Sequence, residues 1–186
     1  MKRYSTGQIV GFLRALDGQL REPLEIIIIG GSAASLAYGV DRTTRDIDTW
    51  GGDLAGRSKA ISAARKVSGH DIPIEVAGVA DAPAEFEERL EPLKLKGLVQ
   101  LSIRVPEKHD LVLMKMLRGY EHDLETAAEI HAKHGLELEI LISRYLGEMG
   151  HIVGDRRATD LNFLALVERL FDESRLAEAE RRLRSR

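Results

Sequence analysis

The hydrophobic positions in the first half of the chain follow two different periods, which predicts alternating helices and strands. Residues 5–20 carry apolar side chains at helical spacing, and either Ser5 or Thr6 is placed to cap this helix. The run "LEIIIIGG" is short, β-branched and stopped by glycine, which is typical of a buried strand. Further strands are predicted at "RDIDTW", "IPIEVAGV" and "GLVQLSIRV", the first two from their alternation of apolar and polar residues.

Helical patterns separate these strands and take over after Pro106. "SAASLAYGV" and "RSKAISAARKVSG" have helical character and run into Gly39 and Gly69, while "ADAPAEFEERLEPLKL" predicts a helix and a turn. The expected order is α-β-α-β-α-β-(α)-β, followed by three or four helices. We therefore predict an α+β fold: residues 1–106 form an α/β core with a short mixed sheet, and residues 107–186 form a helical subdomain packed on it.

Composition narrows the class of protein. The chain has 186 residues, of which 44% are hydrophobic and 31% charged, so it can bury a sizeable core as one domain with a helical extension. The net charge of −3 gives no overall basic field, although it does not exclude a local basic groove. The absence of cysteine excludes disulfides and thiolate metal sites. The amphipathic start is unlike a signal peptide and the longest apolar run is short, so we expect a soluble cytoplasmic protein without membrane segments.

The glycines that end the first strand suggest a phosphate site. Gly30 and Gly31 have no Cβ, so a ligand can approach the backbone there, and Ser32 adds a hydroxyl. The following helix directs N–H groups and the positive end of its dipole towards the same place. A tight turn without a ligand is the simpler alternative for such a "GGS" sequence.

Two aspartates on the next strand indicate a metal. Asp46 and Asp48 are two positions apart, so their side chains emerge on the same face of the strand, where they repel each other unless a cation lies between them. Mg²⁺ takes oxygen ligands and shares its shell with substrate phosphates. Glu75, in its own "IEV" strand, is a candidate third carboxylate, which would complete a site for nucleotidyl transfer with two metal ions. A solvated strand face is the alternative.

These motifs together resemble a known superfamily. "GGS" followed by "RTTRDID" is similar to the signature of the nucleotidyltransferase (polymerase beta-like) superfamily. Within it, the chain resembles the minimal nucleotidyltransferase-like proteins related to the AbiEii abortive-infection toxins, because "PEKHDLVLMKMLRGYEHDLE" is similar to their helical motif with a lysine, an arginine and a later aspartate. The resemblance covers residues 24–125 and implies a nucleotidyltransferase-like sheet flanked by helices.

The resemblance also implies a role for each matching residue. Gly30, Gly31 and Ser32 would hold the nucleotide phosphates, and Arg45 or Arg42 would lie at the mouth of the cleft. The metal ligands and catalytic acids would be Asp46, Asp48 and Glu75, with Mg²⁺ or Mn²⁺ as the cofactor. On the helical motif, Lys115 and Arg118 would contact the triphosphate, and Asp123 would act as base or positioning group for the acceptor. The cleft would lie between the acidic strands and the helix of Lys115.

The function implied is the transfer of a nucleoside monophosphate from an NTP to an acceptor hydroxyl on tRNA or a protein. The chain would then be the toxin of a toxin–antitoxin or phage-defence module with a cognate partner. The alternative is a catalytically inactive binding or antitoxin partner with the same fold. For Lys115 and Asp123 themselves, the simpler alternative is that they are ordinary solvated charges on a helix. A dinucleotide-binding fold is discounted, because "GGSAAS" lacks the third glycine of the G-x-G-x-x-G motif.

Overall fold

The computed structural model describes residues 2–78 and 81–185, and the chain divides into two compact units. Unit 1 comprises Met1–Ala80 and Leu90–Pro106, and unit 2 comprises Asp81–Arg89 and Glu107–Arg186. Strands form a mixed sheet and a second small sheet, and helices make up the rest of the regular structure, so the predicted α+β class is confirmed.

Unit 1 contains all the named strands and the first helices. Its helices are α1 (Thr6–Asp17), α2 (Gly30–Tyr38) and α3 (Ser58–Ser68), with a 3₁₀ turn at Ala55–Arg57. Its strands are β1 (Leu24–Ile27), β2 (Ile47–Thr49), β3 (Ile74–Val76), β4 (Glu91–Pro92) and β5 (Leu101–Val105). The two-residue strand β4 was not expected from the sequence, since it is too short to carry an alternating pattern.

The strands pair in a way that brings the end of β1 against β2. β5 lies in the centre of the three-stranded sheet, parallel to β1 and antiparallel to β4. β2 and β3 form a separate parallel pair. An antiparallel bridge joins Ile28 to Thr49, and beside it the Ile29 N–H donates to the carbonyl of Asp48 at 3.0 Å. The glycines after β1 are thereby fixed next to the strand that carries Asp48.

Helix α1 anchors the core of unit 1. Ser5 is its N-cap, and a capping box forms as Ser5 Oγ accepts from the Gln8 N–H and the Gln8 side chain accepts from the Ser5 N–H. The apolar stripe packs against α3 and the sheet, and its members are fully buried: Ile9, Phe12, Leu13 and Leu16. Burying four large apolar side chains on one helix contributes roughly 1.5–3 kcal/mol each, so α1 is a principal source of stability in this unit.

Unit 2 is helical, with five helices in its described part where the sequence predicted three or four. They are α4 (Lys108–Met116), α5 (Glu121–His134), α6 (Leu138–Glu148), α7 (Arg156–Leu170) and α8 (Glu173–Arg184). The extra breaks have local causes. Gly119 adopts a positive φ of 65° that ends the α4 segment, and Asp172 caps a new helix by accepting from the Arg175 N–H.

The segment 81–89 forms one 3₁₀ turn, Phe86–Arg89, instead of the longer helix expected. Arg89 binds Asp110 in a bidentate fashion at 2.9 and 3.0 Å, and it also donates to Glu148 at 2.6 Å. Asp110 is fully buried, so this arginine supplies the positive charge that the carboxylate requires. The ion pairs hold the segment against α4 and α6.

Candidate functional site

The glycine turn of unit 1 lies directly against the acidic strand. Ile29, in an extended conformation, is the N-cap of α2, and the helix begins at Gly30 with a positive φ of 67°. A Cβ built on Gly30 would lie 3.1 Å from Asp48 Oδ2, and one on Gly31 would lie 3.3 Å from Thr44 Oγ1. A Cβ at either position would therefore make an unusually tight contact, and Gly30 also has a backbone conformation that favours glycine. The first turn of α2 thus starts beside a carboxylate.

Ser32 joins the helix to the acidic segment. Its side chain is buried, and its Oγ donates to the carbonyl of Asp46 at 2.7 Å. Thr44 Oγ1 donates to the same carbonyl at 3.2 Å. The hydroxyl of Ser32 thus positions the backbone of Asp46, and its contact with a nucleotide phosphate stays a prediction.

The predicted acids lie on the β2–β3 pair. Asp48 is in β2 and Asp46 immediately precedes it, and both are half-buried. Asp48 is the register partner of the exposed Glu75 on β3, so the two side chains extend from the same face of the parallel pair. Within residues 2–78 and 81–185, no three acids or histidines are arranged to hold a metal ion. Mg²⁺ is commonly bound through one or two carboxylates and substrate phosphates. Asp46, Asp48 and Glu75 all stay predictions as its ligands.

Tyr4 is a residue that the sequence did not single out, and it braces this acidic segment. Its backbone exchanges two hydrogen bonds with Thr44, at 2.7 and 3.0 Å, and its hydroxyl donates to the carbonyl of Asp71 at 2.6 Å. Tyr4 therefore joins the segment before Asp46 to the segment before β3. The sequence does not indicate this role, because nothing local to Tyr4 predicts pairing with residues forty or more positions away. Arg45, predicted at the cleft mouth, is exposed on the same segment.

The other predicted site residues form one cluster in unit 2, the Lys115–Asp123 cluster, which consists of Lys115, Arg118 and Asp123. Lys115 Nζ donates to Asp123 Oδ1 at 2.6 Å, and Arg118 donates to both carboxylate oxygens at 2.7 and 3.0 Å. The Asp123 and Lys115 side chains are 0% and 5% exposed, so neither is the solvated charge of the simpler alternative, whereas half of the Arg118 side chain is exposed.

The helix ends explain how the cluster forms. Lys115 is in the last turn of α4 and Asp123 in the first turn of α5, where each charge interacts favourably with the dipole of its own helix. The turn between them is fixed, since Asn162 Nδ2 donates to the carbonyl of Leu117 at 3.2 Å and a Cβ on Gly119 would meet Asn162 Oδ1 at 2.8 Å. The sequence spacing of eight residues is thereby converted into a direct ion pair.

The charge state of Asp123 follows from these contacts. Burial by itself raises the pKa of this carboxyl, but the hydrogen bonds from Arg118 and the charge of Lys115 outweigh it and lower the pKa below the ordinary value. Asp123 is therefore an ionised carboxylate with two cationic partners. Such a group is a weak proton acceptor and a strong fixed anchor for the cations around it.

A family profile described as "Nucleotidyltransferase of unknown function (DUF6036)" matches residues 8–172. The chain belongs to this family. The matched range includes the glycine turn, the acidic strand and the Lys115–Asp123 cluster, so the predicted membership of a nucleotidyltransferase-like family is confirmed. No curated protein and no solved structure matches the chain.

Family membership does not establish the finer expectations. The closer resemblance to AbiEii toxins stays a prediction, as does the cleft between the acidic strands and the helix of Lys115.

In the part of the chain that the structure describes, no helix is both long and apolar enough to cross a bilayer.

Proposed function

We propose that this protein is a metal-dependent nucleotidyltransferase that moves a nucleoside monophosphate from an NTP to an acceptor hydroxyl. The observation that carries the proposal is the approach of Gly30 to Asp48, where a Cβ would lie 3.1 Å from the carboxylate oxygen. A helix N-terminus suited to phosphate and a carboxylate suited to a metal lie side by side, in a chain that belongs to a nucleotidyltransferase family.

The reaction is a substitution at the α-phosphorus of the NTP. The acceptor oxygen forms a bond to that phosphorus, the bond from phosphorus to the bridging oxygen of the β-phosphate breaks, and its electron pair leaves with pyrophosphate. The hydroxyl proton of the acceptor passes to solvent water. The protein contributes mainly position and charge, because the transferred group carries negative charge on several oxygens.

Asp46 and Asp48 would hold Mg²⁺ or Mn²⁺, with Glu75 on the neighbouring strand as a third carboxylate. When bound, the ion would supply positive charge that neutralises the leaving pyrophosphate and lowers the pKa of the acceptor hydroxyl. Ser32 keeps the Asp46 backbone in place through its 2.7 Å hydrogen bond. The backbone N–H groups of Gly30 and Gly31, in the first turn of α2, would be the donors to phosphate oxygens.

Lys115 and Arg118 are the proposed contacts of the triphosphate, Lys115 as a point charge and Arg118 as a planar donor. Asp123 would orient them and the acceptor, since its lowered pKa makes it a poor base. Arg45 on the segment before β2 is a further proposed contact. The exposed half of Arg118 can meet a ligand without breaking the buried contact between Lys115 and Asp123.

The proposal extends to an RNA acceptor, in particular tRNA, or a protein, and to the toxin of a toxin–antitoxin or phage-defence module with a cognate partner. It rests there on the resemblance to the AbiEii group. Induced expression in a bacterial host should slow growth, and the Asp46→Asn variant, expressed to the same level, should not. Equal growth of cells expressing either protein would contradict the toxin role.

The transfer reaction is tested directly with α-labelled nucleotide. Each of the four NTPs is incubated with the protein, Mg²⁺ or Mn²⁺, and cellular RNA or protein extract. Label should appear with the wild type and disappear with Asp46→Asn, with Asp48→Asn and with EDTA. Asp71→Asn, a change at an exposed aspartate, serves as the matched control and should retain transfer. Unchanged transfer by Asp46→Asn and Asp48→Asn would refute the mechanism.

A second candidate is a catalytically inactive partner with the same fold. The observation that favours it is that the described residues bring together no three acids for a metal. This candidate predicts a folded protein that transfers no label from any NTP yet copurifies with a specific protein when expressed in its host. The same labelling experiment therefore separates the two functions.

A further inference from the structure

The corner between α4 and α5 presents three planar side chains at the surface of unit 2. These are Arg118, Tyr120 and His122, which we call the Tyr120 platform. The Tyr120 and His122 rings are stacked with centroids 5.3 Å apart and planes 18° from parallel, and the Arg118 guanidinium lies 6.0 Å from the centre of the Tyr120 ring. Tyr120 is 56% exposed, and the other two side chains are about equally exposed.

Hydrogen bonds and backbone geometry fix the Arg118 side chain and the turn that carries Tyr120. Arg118 is fixed by both carboxylate oxygens of Asp123. Asn162 and the positive φ of Gly119 fix the turn on which Tyr120 sits, and Tyr120 is the N-cap of α5. A ring carried on a fixed turn loses less conformational entropy when a flat ligand stacks on it than a ring on a mobile loop does.

The chemistry of the platform suits unpaired nucleobases. Proteins bind single strands by stacking bases on aromatic rings and on guanidinium planes, beside cations that meet the phosphates. A base pair inside a duplex offers no free face to such a surface. Since most ligand pockets enclose 70–90% of a small ligand, an open stack of this kind is better suited to successive bases of a strand than to one free nucleotide.

We propose that the Tyr120 platform binds unpaired bases of a single nucleic-acid strand, which stack on the Tyr120 and His122 rings. As an assignment of the acceptor, this inference rests on the proposed function, whereas as a binding site it stands on the platform alone. The stacking faces specify unpaired bases in general and give no preference for one base over another.

The test is equilibrium binding of a fluorescein-labelled single-stranded 12-mer, measured by anisotropy without NTP. Tyr120→Ala should weaken binding about 5- to 160-fold, the range found for loss of one base–aromatic stack. Tyr120→Phe keeps the ring and should restore most of the affinity. Val153→Ala, which removes a side chain that is 95% exposed elsewhere in the same unit, is the control for general surface changes. Circular dichroism confirms that each variant is folded.

Three competitors identify the ligand. An unlabelled single strand should displace the probe, whereas the duplex of the same sequence and free NTPs should do so only at far higher concentration. A 4-thiouridine strand should cross-link to the peptide that contains Tyr120. Equal affinity of wild type and Tyr120→Ala, no measurable binding, or complete displacement by free NTP would each overturn the proposal. A cellular protein cross-linked through residue 120, with no strand bound, would assign the platform to a protein partner instead.

The outcomes for the platform and for the proposed function are separable. Asp48→Asn should abolish transfer of label and leave strand binding unchanged. If no variant or wild type transfers label while binding still depends on Tyr120, the proposed function fails and the platform stands. If transfer is active and binding is insensitive to Tyr120→Ala, the platform fails and the proposed function stands.

Discussion

Gly30 and Asp48 are in close contact: a Cβ on Gly30 would lie 3.1 Å from Asp48 Oδ2, closer than nearly all Cβ contacts in proteins, so the carboxylate would have to move. Gly30→Ala should therefore displace the Asp48 carboxylate and lower nucleotide transfer about tenfold or more, since small misplacements at reacting groups are costly. The positive φ of 67° should also reduce the free energy of unfolding by about 1–2 kcal/mol. Labelled transfer and urea unfolding measure the two effects.

Gly39 provides the matched control for this substitution. It has nearly the same backbone conformation, with a φ of 63°, but a Cβ there would meet nothing within 4 Å. Gly39→Ala should lose a similar amount of stability and keep its activity. Equal loss of activity in both variants would mean that the contact with Asp48 has no role in transfer.

Removing only one charge of the buried Lys115–Asp123 ion pair should strongly destabilise the protein. Asp123→Asn leaves the buried Lys115 ammonium without its carboxylate, which should cost about 3–5 kcal/mol of unfolding free energy. The double variant Lys115→Met/Asp123→Asn should recover part of that loss, because neither member of the buried ion pair then carries a charge. A double-mutant cycle by chemical denaturation measures this coupling, and additive losses would contradict a direct interaction.

Asp17 caps three successive backbone N–H groups of unit 1. Its Oδ1 accepts from Val99, Gln100 and Leu101 at 2.9, 2.7 and 2.7 Å. Asp17→Ala should lower the free energy of unfolding by about 2–4 kcal/mol, because the buried Leu101 N–H and two partly buried N–H groups lose their acceptor. Asp17→Asn retains an acceptor oxygen and should lose less, so losses of equal size in a denaturation series would argue against the hydrogen bonds as the cause.

Burial raises the pKa of the Asp17 carboxyl, but the three N–H donors outweigh it and lower the pKa below its ordinary value. The folded state therefore favours the ionised form, and this contribution is complete above the unfolded pKa and fades as pH falls through the folded one. Wild type should lose more stability than Asp17→Asn between about pH 5 and pH 3, which unfolding curves at each pH would show. Parallel curves for the two proteins would contradict the lowered pKa.

Glu107 should make a second acid-sensitive contribution, in unit 2. Burial alone raises its pKa, but hydrogen bonds and charge from His109 and Arg144 lower it from 4.5 to about 2. The stability it provides is complete above pH 4.5 and is lost as pH falls towards 2. Glu107→Gln should remove this pH dependence from the unfolding free energy. Ser102→Ala, at an exposed position of β5, is the control and should keep it.

The sequence predicted most elements because their signals are local. The capped α1, the strand before Gly30 and the helix that ends at Gly69 each depend on periodicity and on neighbouring cap residues. The glycine turn and the Asp46–Asp48 pair were likewise recognisable from short motifs. The number of helices in unit 2 was underestimated because Gly119 and Asp172 interrupt apolar patterns that continue across the break.

The contacts that the sequence did not predict join distant positions. Tyr4 pairs with Thr44, and Asp17 caps the entry to β5, although each looks like an ordinary residue of its own segment. The burial of Lys115 and Asp123 was also unforeseen, since a charged helical residue is usually solvated. The two charges neutralise each other because the folded turn at Gly119 brings them together. Helical periodicity in the sequence does not predict that contact.

The ion pairs of Arg89 have a consequence for synthesis on the ribosome. The segment 81–89 is made before the helices it packs on, and Arg89 is separated from Glu148 by 59 residues. At a synthesis rate of about 5–20 residues per second, roughly 3–12 s pass between the addition of Arg89 and that of Glu148. A nascent chain released or cleaved at residue 106 would contain Arg89 but neither Asp110 nor Glu148. Each unit consists of two separate stretches of sequence, so neither can be expressed from one uninterrupted part of the gene. Expression of unit 2 alone needs residues 81–89 as well as residues 107–186, without the intervening residues 90–106.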